Sequence, residues 1–363
     1  MSSDRFIVIM AGGRGERFWP QSRIKRPKQL LPIVGEKPLL TQTVERLKGV
    51  VPFENVLIIT NVEQADAVRD VCPMLPEENV ISEPIGRDTA AAVGLATVLV
   101  KRKSPNAVFT MLPADHVIHD AESFRAVLDA GFDVAEKEDV IVTVGIKPTY
   151  PATGYGYIWH ETVGEKAKGC NVYSVREFVE KPNLKTAETY LETGEYYWNG
   201  GMFCWRVSVV AGELEKNAPI LWRGLQKIES ELDSGRSLDS VLEEVYPSLE
   251  KISIDYAVME KAKSVKVAES TFDWDDVGEW PAIERHYEAD ESGNVVKGLA
   301  EMLDAKGNIV LNEEGHVTAL VGVDNLIVVQ TPDATLICPK DRSQDIKQMV
   351  RSLQEKEEYK HLM

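Results

Sequence analysis

Phe6-Ile7-Val8-Ile9-Met10 is an unbroken apolar run that stops at Gly12-Gly13. A strand buried on both faces reads this way when it lies inside a parallel sheet and ends in a tight turn. The pattern then recurs. Val56-Leu57-Ile58-Ile59, Asn79-Val80-Ile81, Ala107 to Leu112 and Val140 to Val144 read as further strands. Residues 38–48, Thr89 to Lys101 and residues 121–136 read as helices between them. Pro38 suits a first helical turn, and Leu40, Val44 and Leu47 then share one face. Repeated βα units predict an α/β domain with a mostly parallel sheet, helices on its faces and ligands outside the C-terminal ends of the strands.

From about residue 151 the texture changes. Tyr155 to Glu161 and Val172 to Val179 read as paired strands, and residues 185–262 as several helices, with one more short helix after Trp280. Residues 294–338 hold short β-rich runs, Asn308 to Leu311, Val317 to Val321, Leu326 to Val329 and Thr335 to Ile337, broken by Gly, Asn and Asp. That is a small all-β unit. A closing helix places Ile346, Met349, Val350 and Leu353 on one face. The polar stretch Ala289-Asp290-Glu291-Ser292-Gly293 marks a boundary, giving domains over residues 1–290 and 291–363. At 363 residues the chain is long enough for two such units.

The chain carries 41 Lys and Arg against 58 Asp and Glu, a formal charge of −17. Such a balance repels polyanions at long range, which argues against nucleic acid or an anionic membrane as partner. Cys72, Cys170, Cys204 and Cys338 lie far apart without a CxxC pair, so disulfide scaffolds and thiolate zinc sites are not expected. The run from Phe6 to Ala11 is too short for a signal peptide, and no apolar stretch approaches membrane length. A cytoplasmic protein is expected.

The turn after the first strand reads Ala11-Gly12-Gly13-Arg14-Gly15-Glu16-Arg17-Phe18-Trp19-Pro20. Glycines let the backbone approach a ligand closely and aim several N–H groups at one anion. A dinucleotide fingerprint would need glycine at Phe18, and no GxxxxGK[ST] loop occurs. Arg17 is followed by Arg23, Lys25, Arg26 and Lys28. Residues 1–30 hold seven basic and two acidic residues, a local +5 that leaves −22 on the remainder. A solvated basic turn would look similar; the functional alternative is a cradle for a multiply charged phosphate. Asp115, in Leu112-Pro113-Ala114-Asp115-His116, stands where a carboxylate points into the ligand crevice, although a turn aspartate would also fit. Asp275-Asp276 in Trp274-Asp275-Asp276-Val277-Gly278 leaves the same two readings open. His116 and His119 have no third His or Cys nearby to complete a zinc site and read as structural.

Gly-Gly-x-Gly-x-Arg-x-x-Pro followed by Pro27-Lys28-Gln29 resembles the signature of the sugar-1-phosphate nucleotidyltransferases. In order, Pro151-Ala152-Thr153-Gly154-Tyr155-Gly156-Tyr157, Val179-Glu180-Lys181-Pro182 and Trp198-Asn199-Gly200-Gly201-Met202-Phe203 are similar to further motifs of that family. The resemblance spans residues 11–278, and Pro-Ala-Asp-His is more like the mannose-1-phosphate guanylyltransferase branch than the thymidylyl branch. It implies a Rossmann-like, GT-A-like catalytic domain followed by a small left-handed parallel β-helix.

The resemblance also implies roles. Ala11, Gly12, Gly13, Arg14 and Gly15 would wrap a nucleoside triphosphate, with Pro113 beside it. Arg17 and Lys28 would hold and polarise its phosphates as catalytic residues. Glu83, Asp88 and Thr89 lie in a segment that reaches the nucleobase, while Thr89 also reads as a helix N-cap. Gly154, Glu180, Lys181 and Asn199 would bind the sugar phosphate, and Asp115 and Asp276 would bind Mg²⁺, with Asp275 at a variable position.

The implied reaction joins GTP and α-D-mannose 1-phosphate into GDP-mannose and pyrophosphate by in-line attack on the α-phosphorus, in a homodimer. An isomerase activity, known from longer relatives, is not expected. The competing readings are another hexose 1-phosphate or nucleotide, and a non-catalytic sensor of nucleotide sugars.

Overall fold

The computed structural model describes residues 4–363. β1 (Arg5–Met10) alternates between two cores: Phe6 and Val8 face one, Ile7 and Ile9 the other. β2 (Val56–Asn61), β3 (Val80–Glu83) and β4 (Val108–Pro113) continue the parallel run, with β1 paired to β2 and β4, and β2 to β3. α1 (Leu39–Arg46), α2 (Ala65–Val71) and α4 (Ala121–Lys137) pack on one face, and α3 (Asp88–Lys103) on the other. Burial on both faces explains why these strands are apolar without alternation.

The sheet has ten strands and is mixed in its second half. β5 (Ile141–Ile146), β6 (Tyr157–His160), β7 (Glu165–Ala167) and β8 (Cys170–Val179) lead through α5 (Leu184–Thr193) to β9 (Tyr196–Arg206). α6 (Val207–Asn217), α7 (Pro219–Asp233) and α8 (Leu238–Val245) join the α3 face, and β10 (Val265–Glu269) returns to the sheet. The order is β3-β2-β1-β4-β9-β5-β10-β8-β6, with β7 on β8. β9 runs antiparallel between β4 and β5, and β10 lies parallel to β5.

β9 corrects the expectation of helices alone across 185–262, and β10 was not anticipated. In β9, Gly200 and Gly201 interrupt an aromatic-rich run, so no alternation advertises the strand. Its insertion beside β4 nevertheless carries Asn199 to the ligand end of the sheet.

Beyond residue 290 the chain coils into stacked short strands. β11 (Val295–Lys297), β13 (Ile309–Leu311) and β15 (Leu326–Gln330) are in parallel register, as are β12 (Leu299–Leu303) and β14 (Val317–Val321); β16 (Thr335–Pro339) closes antiparallel on β15. Buried asparagines bind successive rungs. Asn308 donates to Asn294 Oδ1 at 3.0 Å and accepts from the Leu326 amide at 2.9 Å. α9 (Ile346–Gln354) buries Ile346 and Val350, but Met349 is 53% exposed, so the apolar face is narrower than the spacing suggests. This unit is not a separate globule. Its core holds Ile309, Ile327, Ile346 and Val350 together with Phe18, Trp19, Val277 and Trp280 from the first domain.

Candidate active site

The glycine-rich turn leaves β1 at the C-terminal edge of the parallel strands, and side-chain amides hold its carbonyls. Gln29 Nε2 donates to the carbonyls of Ala11 at 2.8 Å and Gly13 at 3.0 Å, and Asn61 Nδ2 donates to that of Gly12 at 2.7 Å. In a trans peptide the N–H points opposite its C=O, so the amides that follow turn away from Gln29 and Asn61. Gly15 has φ of 61°, and a Cβ there would lie 2.6 Å from the Lys28 amide nitrogen. Only glycine tolerates both demands.

Lys28 is buried and reaches across the crevice. Its Nζ donates to Asp115 Oδ2 at 2.9 Å and to the carbonyl of Asp276 at 2.5 Å. Burial alone would raise the Asp115 pKa, but the Lys28 ammonium outweighs it and holds the carboxyl below its ordinary value. Arg17 Nη1 donates to the Gly278 carbonyl at 3.1 Å, so both cations grip the loop that carries Asp276. Tyr155 donates to Asp276 Oδ1 at 2.6 Å; burial and that carboxylate push its own pKa up.

The adjacent aspartates differ sharply. Asp275 is buried and accepts from Arg285 at 2.5 and 2.7 Å, from the Val277 amide at 2.8 Å, and lies 2.9 Å from His286 Nε2. Burial opposes its charge, yet Arg285 and His286 pull its pKa well below the ordinary carboxylate range. Its oxygens are committed to the fold. Asp276, by contrast, lines the crevice.

His116 also lines the crevice, although its spacing suggested a purely structural role. Trp274 Nε1 can only donate, and it meets His116 Nδ1 at 3.1 Å, which assigns the imidazole proton to Nε2. Burial lowers the His116 pKa despite the neighbouring Asp115 and Asp276, in line with a ring that accepts at Nδ1. Among the described residues, no group of three or more His, Cys, Asp and Glu could hold a metal.

The crevice has two joined compartments. The larger, about 870 Å³, is lined by Arg14, Gly15, Arg17, Lys28 and Asp115. The other, about 470 Å³, is lined by Glu83, Asp88, Thr89, Pro113, Gly154, Glu180 and Asn199. Gly12, Asn61, Gly86, His116 and Asp276 border both. Gly13 lines the smaller one, while Ala11 is buried beneath the turn.

In the smaller compartment Glu180 is held by backbone shape, since a Cβ on Gly156 would come within 2.7 Å of its Oε2. Lys181 pairs with Glu180, but its side chain is 57% exposed and it is not among the residues lining either compartment. Asn199 donates to Asp255 at 3.2 Å and accepts from the Gly201 amide at 3.1 Å. Burial and the nearby Glu180 charge push Asp255 up to about 6. At the opposite end Tyr246 donates to Glu83, whose pKa burial pushes up to about 7 despite that bond. Thr89 is not the N-cap it resembled. It sits inside α3, and its hydroxyl accepts from the Ile254 amide at 2.8 Å, tying α3 to the Asp255 segment.

Three contributors escaped the sequence reading. Gln29 was visible beside Lys28 without a reason to assign it a task. Tyr246 and Asp255 come from a region that reads only as helix, and nothing local marks them.

Comparison with known proteins places the chain in a family. The nucleotidyl transferase family model matches residues 7–293, and a MannoseP isomerase/GMP-like beta-helix domain model matches residues 294–353. The chain is 38% identical to a mannose-1-phosphate guanylyltransferase of Klebsiella pneumoniae, over 97% of this chain and 75% of that protein. It is also 38% identical to one of Escherichia coli strain K12, over 99% and 75% respectively. The crystal structure of a protein described as mannose-1-phosphate geranyltransferase from Thermus thermophilus is 38% identical, with a TM-score of 0.83 over 97% of this chain and 99% of that one. The chain belongs to the nucleotidyl transferase family, among relatives that are mannose-1-phosphate guanylyltransferases.

Proposed function

We propose that this protein joins GTP and α-D-mannose 1-phosphate into GDP-mannose and pyrophosphate. One observation carries the reading: a cation-lined compartment opens directly into a compartment of buried carboxylate and amide groups, with Asp276 at their junction. A triphosphate suits the first, and a base and a polyol suit the second.

The sugar-phosphate oxygen attacks the α-phosphorus while pyrophosphate departs in line, so the protein's task is positioning and charge stabilisation. The glycine-rich turn, Arg14, Arg17 and Lys28 hold the phosphates, and Arg17 and Lys28 stabilise charge growing on the leaving group. Glu180 and Asn199 receive the sugar hydroxyls, Gly154 gives the ring room, and Lys181 orients the sugar phosphate. Glu83, Asp88, Thr89 and Pro113 border the base. Asp115 and Asp276 would hold Mg²⁺: two hard carboxylates beside phosphate oxygens and water are the donor set that ion prefers. The ion, when bound, lowers the charge at the α-phosphate.

We assign catalysis to residues 1–290 and the β-helix unit to 291–363. A cytoplasmic location fits four buried, unpaired cysteines. Among the described residues no helix is long and apolar enough to cross a membrane. We also propose a homodimer, supported by the outer β12–β14 face, where Leu299, Leu303, Val317 and Val321 are exposed side by side. The catalytic reading is tested by pyrophosphate release across a matrix of nucleoside triphosphates and hexose 1-phosphates. GTP with mannose 1-phosphate should give the highest kcat/KM; a poor rate for that pair overturns the assignment.

A further inference from the structure

The cation-lined compartment is completed from the far end of the chain. Lys347 and Arg351 on α9 line it, together with Arg14, Arg17 and Lys28. Four residues apart on a helix, they occupy one face, one turn above the other. The rotation of α9 is fixed. Ile346 and Val350 are buried in the core that also holds Phe18 and Trp19, immediately after the glycine-rich turn. Trp19 Nε1 further donates to the Leu362 carbonyl at 3.1 Å, fastening the turn to the end of the chain.

Three other cations of this region are paired with carboxylates: Lys340 with Glu284, Arg342 with Asp345, and Lys360 with Glu357. Among the described residues, Lys347 and Arg351 have no carboxylate partner. Two cations without a carboxylate partner, on a helix held by its buried face and lining the same cavity as Arg14, Arg17 and Lys28, are placed to bind an anion.

We propose that Lys347 and Arg351 bind the pyrophosphate end of the nucleoside triphosphate, so that the β-helix domain supplies part of the active site. This rests on the nucleotidyl-transfer reading. The direction follows from the compartments: base and sugar groups lie on the Glu83 and Glu180 side, and the terminal phosphates extend away from them, toward α9. Release of pyrophosphate then requires ions from two domains to let go of one product.

The test is calorimetric titration of inorganic pyrophosphate with Mg²⁺ into the full chain, in the wild type, Lys347→Ala, Arg351→Ala and the double variant. Each single variant should weaken binding by about tenfold, the effect of losing one charge-assisted contact. The double variant should weaken it further, while the KM for mannose 1-phosphate stays within about twofold. Met349→Ala, an exposed neutral change on the same helix, should leave pyrophosphate affinity unaltered. A double variant that binds pyrophosphate like wild type overturns the proposal, as does a wild type that does not bind it. If the wild type shows no turnover with GTP and mannose 1-phosphate while pyrophosphate affinity still depends on the pair, the catalytic reading fails and the anion site stands.

Discussion

At the residue scale, the two neighbouring aspartates separate stability from chemistry. Asp275→Asn removes the charge that pairs Arg285 inside the fold, so the variant should melt lower than wild type. The depressed pKa of Asp275 means that its stabilising effect exists above the ordinary carboxylate range and is lost on acidification. Asp276→Asn should keep the wild-type melting temperature and lose turnover; the opposite assignment of effects would exchange their roles. Lys28→Ala should lower kcat/KM by about a hundredfold, the cost of one such transition-state donor, in a steady-state assay. Wild-type turnover in that variant would remove Lys28 from the mechanism.

Glu83 makes a prediction of opposite sign to Asp275. Its pKa is raised to about 7, so the folded state resists its ionisation and stability falls as pH rises from about 4.5 to about 7. Glu83→Gln removes that penalty, up to about 3 kcal/mol above pH 7. Thermal melts should show the variant more stable than wild type at pH 8 and similar at pH 5. No pH dependence of the difference would mean that Glu83 stays charged.

At the element scale, the turns are built around absent side chains. Gly156→Ala would drive a methyl against Glu180, so the KM for the sugar phosphate should rise while that for GTP holds. Equal losses for both substrates would point to a general disturbance of β6 instead. Much of this level was legible in the chain. β1 and its glycine turn announce themselves because burial on both faces and the need for positive φ leave few residue choices. Asp115 was readable because a strand end aims it. β9 was not, since its glycines and aromatics satisfy a bulged, crowded strand rather than an alternating one. Asp255 and Tyr246 act through chain segments distant from the turn, and only folding brings them to it. Thr89 shows the converse: a good capping residue whose hydroxyl is claimed by a tertiary contact at Ile254.

At the scale of the whole molecule, charge and core agree on where the domains meet. The net −17 opposes polyanionic polymers, while three of the seven basic residues among the first thirty, Arg14, Arg17 and Lys28, line the cavity; Arg5 and Arg23 pair with carboxylates elsewhere, and Lys25 and Arg26 do not line it. Phe18 and Trp280 pack at 4.9 Å within a core shared with Ile346 and Val350. The β-helix therefore buttresses the phosphate turn. Ile346→Ala should cost about 2–5 kcal/mol and destabilise both domains in one calorimetric transition. Two separate transitions would show that the shared core does not couple them.

The central claim is a single in-line displacement at the α-phosphorus, without a covalent enzyme intermediate. It is tested most directly with one diastereomer of α-thio-GTP and mannose 1-phosphate, reading the configuration of the product by phosphorus NMR. Inversion at the α-phosphorus is the expected result. Retention, which requires two displacements through an enzyme-bound nucleotide, would contradict the mechanism proposed for Lys28, Asp115 and Asp276.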